Sequence, residues 1–268
     1  MPIELLLALS GLLAGAFGAM LGLGGGILIV PILTLGFGVP LTTAVGTSLI
    51  CVIATSTGAA AINVRAGRAD VRLGITLAAG TVVGAVMGGI LAGFLPERVL
   101  AGLFAALLAY TAFTMLRGVL AAAPTSNDEP AADPTASDGP LAPSYRGRRL
   151  PWGIGGSVLA GNASGLLGVG GGIVMVPLMH LVMRAPLRVS VATSNFMTGM
   201  TGAAGAYAYL FRGDVDSRLA APVVLGVAAG AALGAVLSAR VNTRVLSAIF
   251  VLVVAYVALR MALRAMGS

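Results

Sequence analysis

The sequence predicts an all-α polytopic membrane protein made of two homologous halves, and three observations carry that prediction. Of 268 residues, 58% are hydrophobic and only 9% charged, whereas about a quarter of a soluble domain is charged. Apolar runs at Ile3–Leu21, Thr42–Val64, Leu73–Leu95 and Val99–Leu116 approach the ~20 residues that cross a bilayer as helix. The stretch Gly22–Pro31 (GLGGGILIVP) returns as Gly168–Pro177 (GVGGGIVMVP), an offset of 146 residues. The same offset, without a gap, pairs Pro40 with Pro186, Thr47-Ser48 with Thr193-Ser194, Asp70 with Asp216, Arg98 with Arg244 and Tyr110 with Tyr256.

The first run begins Met1-Pro2-Ile3-Glu4, without the basic n-region of a cleavable signal, and is expected to be part of the mature fold. The Gly cluster follows, then Ile27–Val39, whose 13 residues reach about 20 Å as helix and fall short of a ~30 Å hydrocarbon core. This segment is a half-crossing. Pro31 and Pro177 are expected in the first turns of the short helices, where a missing N–H is tolerated. After Pro40 comes a full crossing that carries Thr47-Ser48. A turn at Arg65–Asp70 follows, in which Gly67 supplies the reversal and Asp70 caps the next helix. Gly80, Gly84 and Gly88 then form a small-residue face for close helix packing, repeated at Gly226, Gly230 and Gly234. Val99–Leu116 completes the unit.

Residues 1–118 are thus the first transmembrane repeat and 151–268 the second. Between them, 119–150 is rich in Pro, Ala, Ser and Asp, a flexible tether that lets the halves sit side by side. If the Gly cluster closes a helix–loop–helix hairpin, three full crossings follow in each half and the repeat is inverted. If it merely breaks one helix, four crossings follow and the repeat is parallel. Charge does not decide. With the linker cytoplasmic, the inverted arrangement leaves Arg98, Arg212, Arg218, Arg260 and Arg264 outside and 11 of the 16 basic residues inside. The parallel arrangement exchanges four of these for Arg184, Arg188, Arg240 and Arg244 and reaches the same ratio.

All 16 basic residues are Arg. Without Lys there is no P-loop and no Schiff-base attachment. A single Cys51 and a single His180 leave no metal-ligand cluster and no disulfide within one chain; no cofactor is expected. No nucleophile, base and orienting group recur together, so an enzyme is not expected. The Arg residues stand at the ends of apolar runs, as topology signals rather than a nucleic-acid surface. No Asp, Glu or Arg falls in the middle of an apolar run, so no proton relay is visible.

The candidate site is polar but uncharged. Irregular backbone at membrane depth is tolerated only where it is buried or lines a cavity, and Gly24, Gly25 and Gly26 with Gly170, Gly171 and Gly172 would let amide groups converge at the positive ends of two short helices, an arrangement suited to an anion. The competing reading is that these glycines only bring helices together. Thr47 and Ser48 with Thr193, Ser194 and Asn195 supply hydroxyl and amide groups for the same anion, against the alternative that they bond back to their own helices. The turns at Arg65–Asp70 and Arg212–Asp216 are read as connectors, with gating as the alternative. His180, which stands where the first half has Thr34, is read as packed or interfacial rather than as a proton carrier.

The doubled GxGGGxxxVP stretch, each copy followed by a Pro, a Thr-Ser pair and a Gly-x-x-Asp turn, resembles the sulfite/organosulfonate exporter family of TauE/SafE type, over roughly Leu12–Leu116 and Val158–Leu263. The resemblance implies a bacterial inner-membrane permease that exports sulfur-containing oxyanions, with inverted repeats and re-entrant N-terminal hairpins. The inverted arrangement is therefore expected, with the linker cytoplasmic. The halves are not equivalent: Asn195 replaces Leu49, and Arg212 replaces Ala66. The partners expected are a small anionic substrate, membrane lipid and, as an open option, a second copy in a homodimer. The alternatives are a transporter for another small anion or carboxylate, and a non-transport membrane scaffold or sensor subunit.

Overall fold

The computed structural model describes residues 3–21, 25–65, 67, 69–121, 150–183, 185–237 and 243–266. Every regular element among them is helical. The first half contains α1 (Ile3–Leu21), α2 (Gly26–Pro31) with a π-helical extension (Ile32–Gly36), α3 (Leu41–Arg65), α4 (Val71–Ala92) and α5 (Glu97–Ala121). The second contains α6 (Leu150–Leu167), α7 (Gly172–Pro177) with its π extension (Leu178–Val182), α8 (Leu187–Phe211), α9 (Ser217–Leu237) and α10 (Thr243–Met266). Shifted by 146, α2, its extension and α3 coincide residue for residue with α7, its extension and α8. α5 continues to Ala121, into the stretch expected as a tether at 119–150; of that stretch, 122–149 lie outside the described residues.

Among the described residues, five helices or helix segments are long and apolar enough to cross a membrane: Leu41–Arg65, Val71–Ala92, Glu97–Leu116, Ser217–Gly234 and Ala248–Met266. Their outward faces are apolar, with Leu225 72% and Leu252 71% exposed, as suits a surface solvated by lipid rather than water.

The halves do not sit side by side; they interlock. The first helix of each half packs on the fourth helix of the other, α1 on α9 and α6 on α4. The glycine faces are the reason. A methyl group at Gly80 would land on Ser157, at Gly84 on the Val158 carbonyl, and at Gly88 on the Asn162 carbonyl, all on α6. In the equivalent pair, Gly226, Gly230 and Gly234 meet the carbonyls of Ala8, Leu12 and Ala16 on α1. Dispersion between closely packed backbones replaces the hydrophobic drive that is absent in lipid.

Equivalent helices also pair across the halves, α3 with α8 and α5 with α10, and α4 packs on α8 and α9 on α3. Gly46 meets Tyr209, Gly202 meets Leu49 and Ile53, and Gly199 meets Ser56, so α3 and α8 run antiparallel. Glu97 at the start of α5 pairs with Arg264 near the end of α10, 2.9 Å apart, so these two run antiparallel as well.

The short helices are half-crossings, as their length predicts: Gly26 to Gly36 is 11 residues, about 17 Å at 1.5 Å per residue. Ile27, Leu28, Ile29 and Val30 are all buried. One expectation is corrected. Pro31 and Pro177 are not in the first turns but close the α-helical segments, as the sixth residue of each. A proline there removes an i→i−4 donor and crowds the carbonyl one turn back, and the chain responds by widening at once into π-helix. In the first half, the Thr34 hydroxyl donates to the Val30 carbonyl, four residues back, at 2.9 Å.

Candidate functional site

Each short helix starts from a glycine that only a residue without Cβ adopts comfortably. Gly25 (φ 71°) precedes α2 and Gly171 (φ 74°) precedes α7; Gly168 and Gly170 also have positive φ, at 72° and 83°. The intrahelical ladder begins with Leu28 donating to Gly25 O at 3.2 Å, and with Val174 and Met175 donating to Gly171 O at 3.2 and 3.0 Å. The amides of Gly26, Ile27, Gly172 and Ile173 lie ahead of it, where a helix leaves its donors for other partners.

The two glycine stretches come together. The Ser48 hydroxyl on α3 lies 3.1 Å from Gly26 O and 2.8 Å from Gly168 O, donating across the junction between the halves. The contact is dense: a Cβ on Gly26 would stand 2.8 Å from Gly168 O and 2.8 Å from Val52 Cγ2. Gly170 fits against Val52 and Thr198, and Gly172 faces Ser194 and Thr198, with its Cβ position 3.4 and 3.5 Å from their hydroxyl oxygens. Gly24 lies outside the described residues.

The remaining site residues divide. Ser194 is buried beside Gly172, and Asn195 is half-buried on the same turn of α8. Thr193 is buried and its hydroxyl oxygen accepts the Asp70 backbone N–H at 3.0 Å. Thr47 is fully buried and its hydroxyl has no hydrogen-bond partner. Thr198 escaped the sequence reading because its equivalent in the first half is Val52 and the search relied on recurrence. Its position four residues after Ser194, on one face of α8, was the available signal.

Both turns behave as expected, with positive φ at Gly67 and Gly213. Asp70 caps α4 by accepting from Leu73 N at 3.1 Å, and Asp216 accepts from Arg218 N at 2.9 Å. Arg212 does more than connect. Its guanidinium lies over the Tyr209 ring, 4.6 Å from the centroid, bonds Asp214 Oδ2 through Nε at 2.7 Å, and donates to the Gly89 carbonyl near the end of α4. His180 is exposed, with Nδ1 3.0 Å from Ala185 O, closing the exit from its π turn.

A second orphan, the Ser164 hydroxyl, borders a cavity of about 10 Å³ lined by Gly171, Val169, Ile173 and Val174. That is room for one water at most.

Comparison with known proteins supplies the class. A probable membrane transporter protein of Bacillus subtilis, YunE, is 29% identical over 231 residues, covering 82% of this chain and 83% of its own. A probable membrane transporter protein of Methanocaldococcus jannaschii, MJ0441, is 28% identical over 211 residues, covering 76% and 72%. No solved structure matches the chain. Residues 7–261 match the family described as sulfite exporter TauE/SafE. With both glycine stretches and all ten helices touched by that match, the chain belongs to the TauE/SafE family of membrane transporters.

Proposed function

We propose that this permease exports a small sulfur-containing oxyanion, sulfite or an organosulfonate, across the cell's inner membrane by alternating access. The observation that carries the reading is the meeting of Gly26 and Gly168 at Ser48, which brings the start of α2 beside the stretch that leads into α7 in a region built by both halves; leading amides and positive dipole ends of such short helices would favour an anion there. Gly24, Gly25, Gly26, Gly170, Gly171 and Gly172 provide backbone donors. Thr47, Ser48, Thr193, Ser194 and Asn195 provide the polar walls, to which Thr198 is added.

The antiparallel pairing of α3 with α8 and of α5 with α10 supports inverted repeats, with the short helices as re-entrant hairpins entering from opposite sides. The linker is then cytoplasmic. With the cytoplasm negative, expelling an anion is downhill by about 2.3 kcal/mol per charge per 100 mV, so uniport needs no proton relay.

The test is thermal stability of the purified protein with sulfite, sulfoacetate, taurine, sulfate, thiosulfate and simple carboxylates, followed by flux of the stabilising ions in proteoliposomes. Binding to the native state raises stability by mass action. A shift and flux confined to sulfur oxyanions are expected. Response to carboxylates alone overturns the substrate class, and neither binding nor flux of any anion overturns transport. Replacing both Gly25 and Gly171 by Leu is expected to abolish flux, with some loss of stability because both have positive φ.

A further inference from the structure

The two halves place equivalent residues in unequal states. Thr193 on α8 accepts the Asp70 amide at 3.0 Å, and Asp70 is buried at the head of α4. The 146-residue offset turns Thr193 into Thr47 and Asp70 into Asp216. That second bond is not made: the Thr47 hydroxyl is fully buried with no partner, and Asp216 is exposed. The elements are nonetheless adjacent, because Val215 touches Gly46, with its Cγ2 2.9 Å from that glycine's Cβ position. The helix packing is unequal in the same sense. α4 seats on α8 closely, with Phe196 Cδ1 2.9 Å from the Cβ position of Gly74, whereas α9 packs on α3 less extensively.

A buried hydroxyl without a partner costs free energy and persists where another state of the molecule uses it. We propose that Thr193–Asp70 and Thr47–Asp216 are the two alternating latches of the transport cycle: the first is engaged here, and the second engages in the opposite-facing state as the first releases. This rests on the inverted-repeat transporter reading above, in which the opposite state is reached when each half adopts the other's conformation. The buried Thr47 hydroxyl is the vacant half of the second latch. Arg212 is not part of the exchange, since its equivalent is Ala66; it ties the end of α8 to α4.

The test uses the full chain with Thr47→Val, Thr193→Val and the double variant, read by thermal stability, amide hydrogen exchange and sulfite flux. Thr47→Val removes an unpaired group, so stability equal to or above wild type is expected. Flux is expected to fall roughly five- to tenfold, the worth of one hydrogen bond, because the opposite state loses its latch, and Thr47→Ser is expected to restore it. A residue of purely structural role would not separate stability from flux in this way. Thr193→Val is expected to speed exchange at residues 69–74 and to slow it at 215–220 as the second latch closes, with the slowing absent in the double variant. Wild-type flux in Thr47→Val, or loosening at 69–74 with no change at 215–220, overturns the latches. Should wild type move no anion, the transport reading fails while the exchange data still decide the latches, and if Thr193→Val does not fold, the Thr47 pair decides them alone.

Discussion

Ser48→Ala removes a hydroxyl that joins the two glycine stretches, and the structure sets its cost. Ser48 is fully buried and within hydrogen-bond distance of two carbonyls, Gly26 O at 3.1 Å and Gly168 O at 2.8 Å. A hydroxyl has a single proton, so one full hydrogen bond is lost rather than two. The carbonyl left behind belongs to a buried glycine. Leaving a buried acceptor unpaired costs about 1–3 kcal/mol, while side-chain hydrogen bonds in membrane proteins average about 0.6 and reach about 1.7 kcal/mol. A loss of about 1.5 kcal/mol reconciles the two ranges. For a chain of this size that lowers Tm by roughly 3–6 °C, measurable by differential scanning fluorimetry in detergent. The neighbour on the same helix turn is the control, because Thr47→Val deletes an equally buried but unpaired hydroxyl. A Ser48→Ala Tm within 1 °C of wild type would refute the clamp.

Gly84→Val should prevent assembly, since its side chain would overlap the Val158 carbonyl and part α4 from α6; aggregation on size-exclusion chromatography is the readout. Gly58→Ala, in the interior of α3 with nothing within 4 Å of its Cβ position, should stabilise by about 0.5–1 kcal/mol through helix propensity, a rise of roughly 1–4 °C in the same melt. Arg212→Ala removes the bond to Gly89 O and the contacts with Tyr209 and Asp214. Because Arg212 and Asp214 remain about a quarter exposed, their ion pair is discounted for screening, and a Tm decrease of a few degrees is expected, with Arg212→Lys rescuing it poorly because a point charge does not reproduce the planar fork.

What the sequence made legible was whatever depended on local pattern. Apolar run length located α1, α3, α4 and α5 within a few residues, and recurrence at a constant offset carried those boundaries into the second half. The glycine ladders read correctly as packing faces, since small residues spaced by four can do little else on a membrane helix. Their partner was not legible: Gly84 announces a close neighbour but not that Val158 of the other half supplies it. The π turns after Pro31 and Pro177 were missed because a proline near a helix start reads as a cap when the start itself is placed by glycine content. For the site, recurrence was both guide and blind spot. It singled out Ser48 and Ser194, which stand beside Gly26 and Gly172, passed over Thr198 beside the same Gly172, and treated Thr47 and Thr193 as equals although one is bonded and the other is not, a difference of conformation that identical residues cannot encode.

The interlocked packing changes which bodies can move. If α1 is seated on α9 and α6 on α4 through backbone contacts, rocking one sequence half against the other would tear both interfaces. The units free to shift as wholes would then be mixed, α1 with α9 and α4 with α6, each holding helices from both halves. The tether between Ala121 and Leu150 then adds little to cohesion, because each half already buries its first helix in the other. Expressing residues 1–121 and 150–268 as separate chains in one cell should yield a complex that copurifies through a tag on either piece. Loss of the covalent connection costs only the entropy of closing a loop of that length, which grows slowly with size. Either piece expressed alone exposes the glycine ladders and should aggregate or be degraded. Recovery of a stable, monodisperse single half would mean that the halves are self-sufficient and would return the moving unit to the repeat itself.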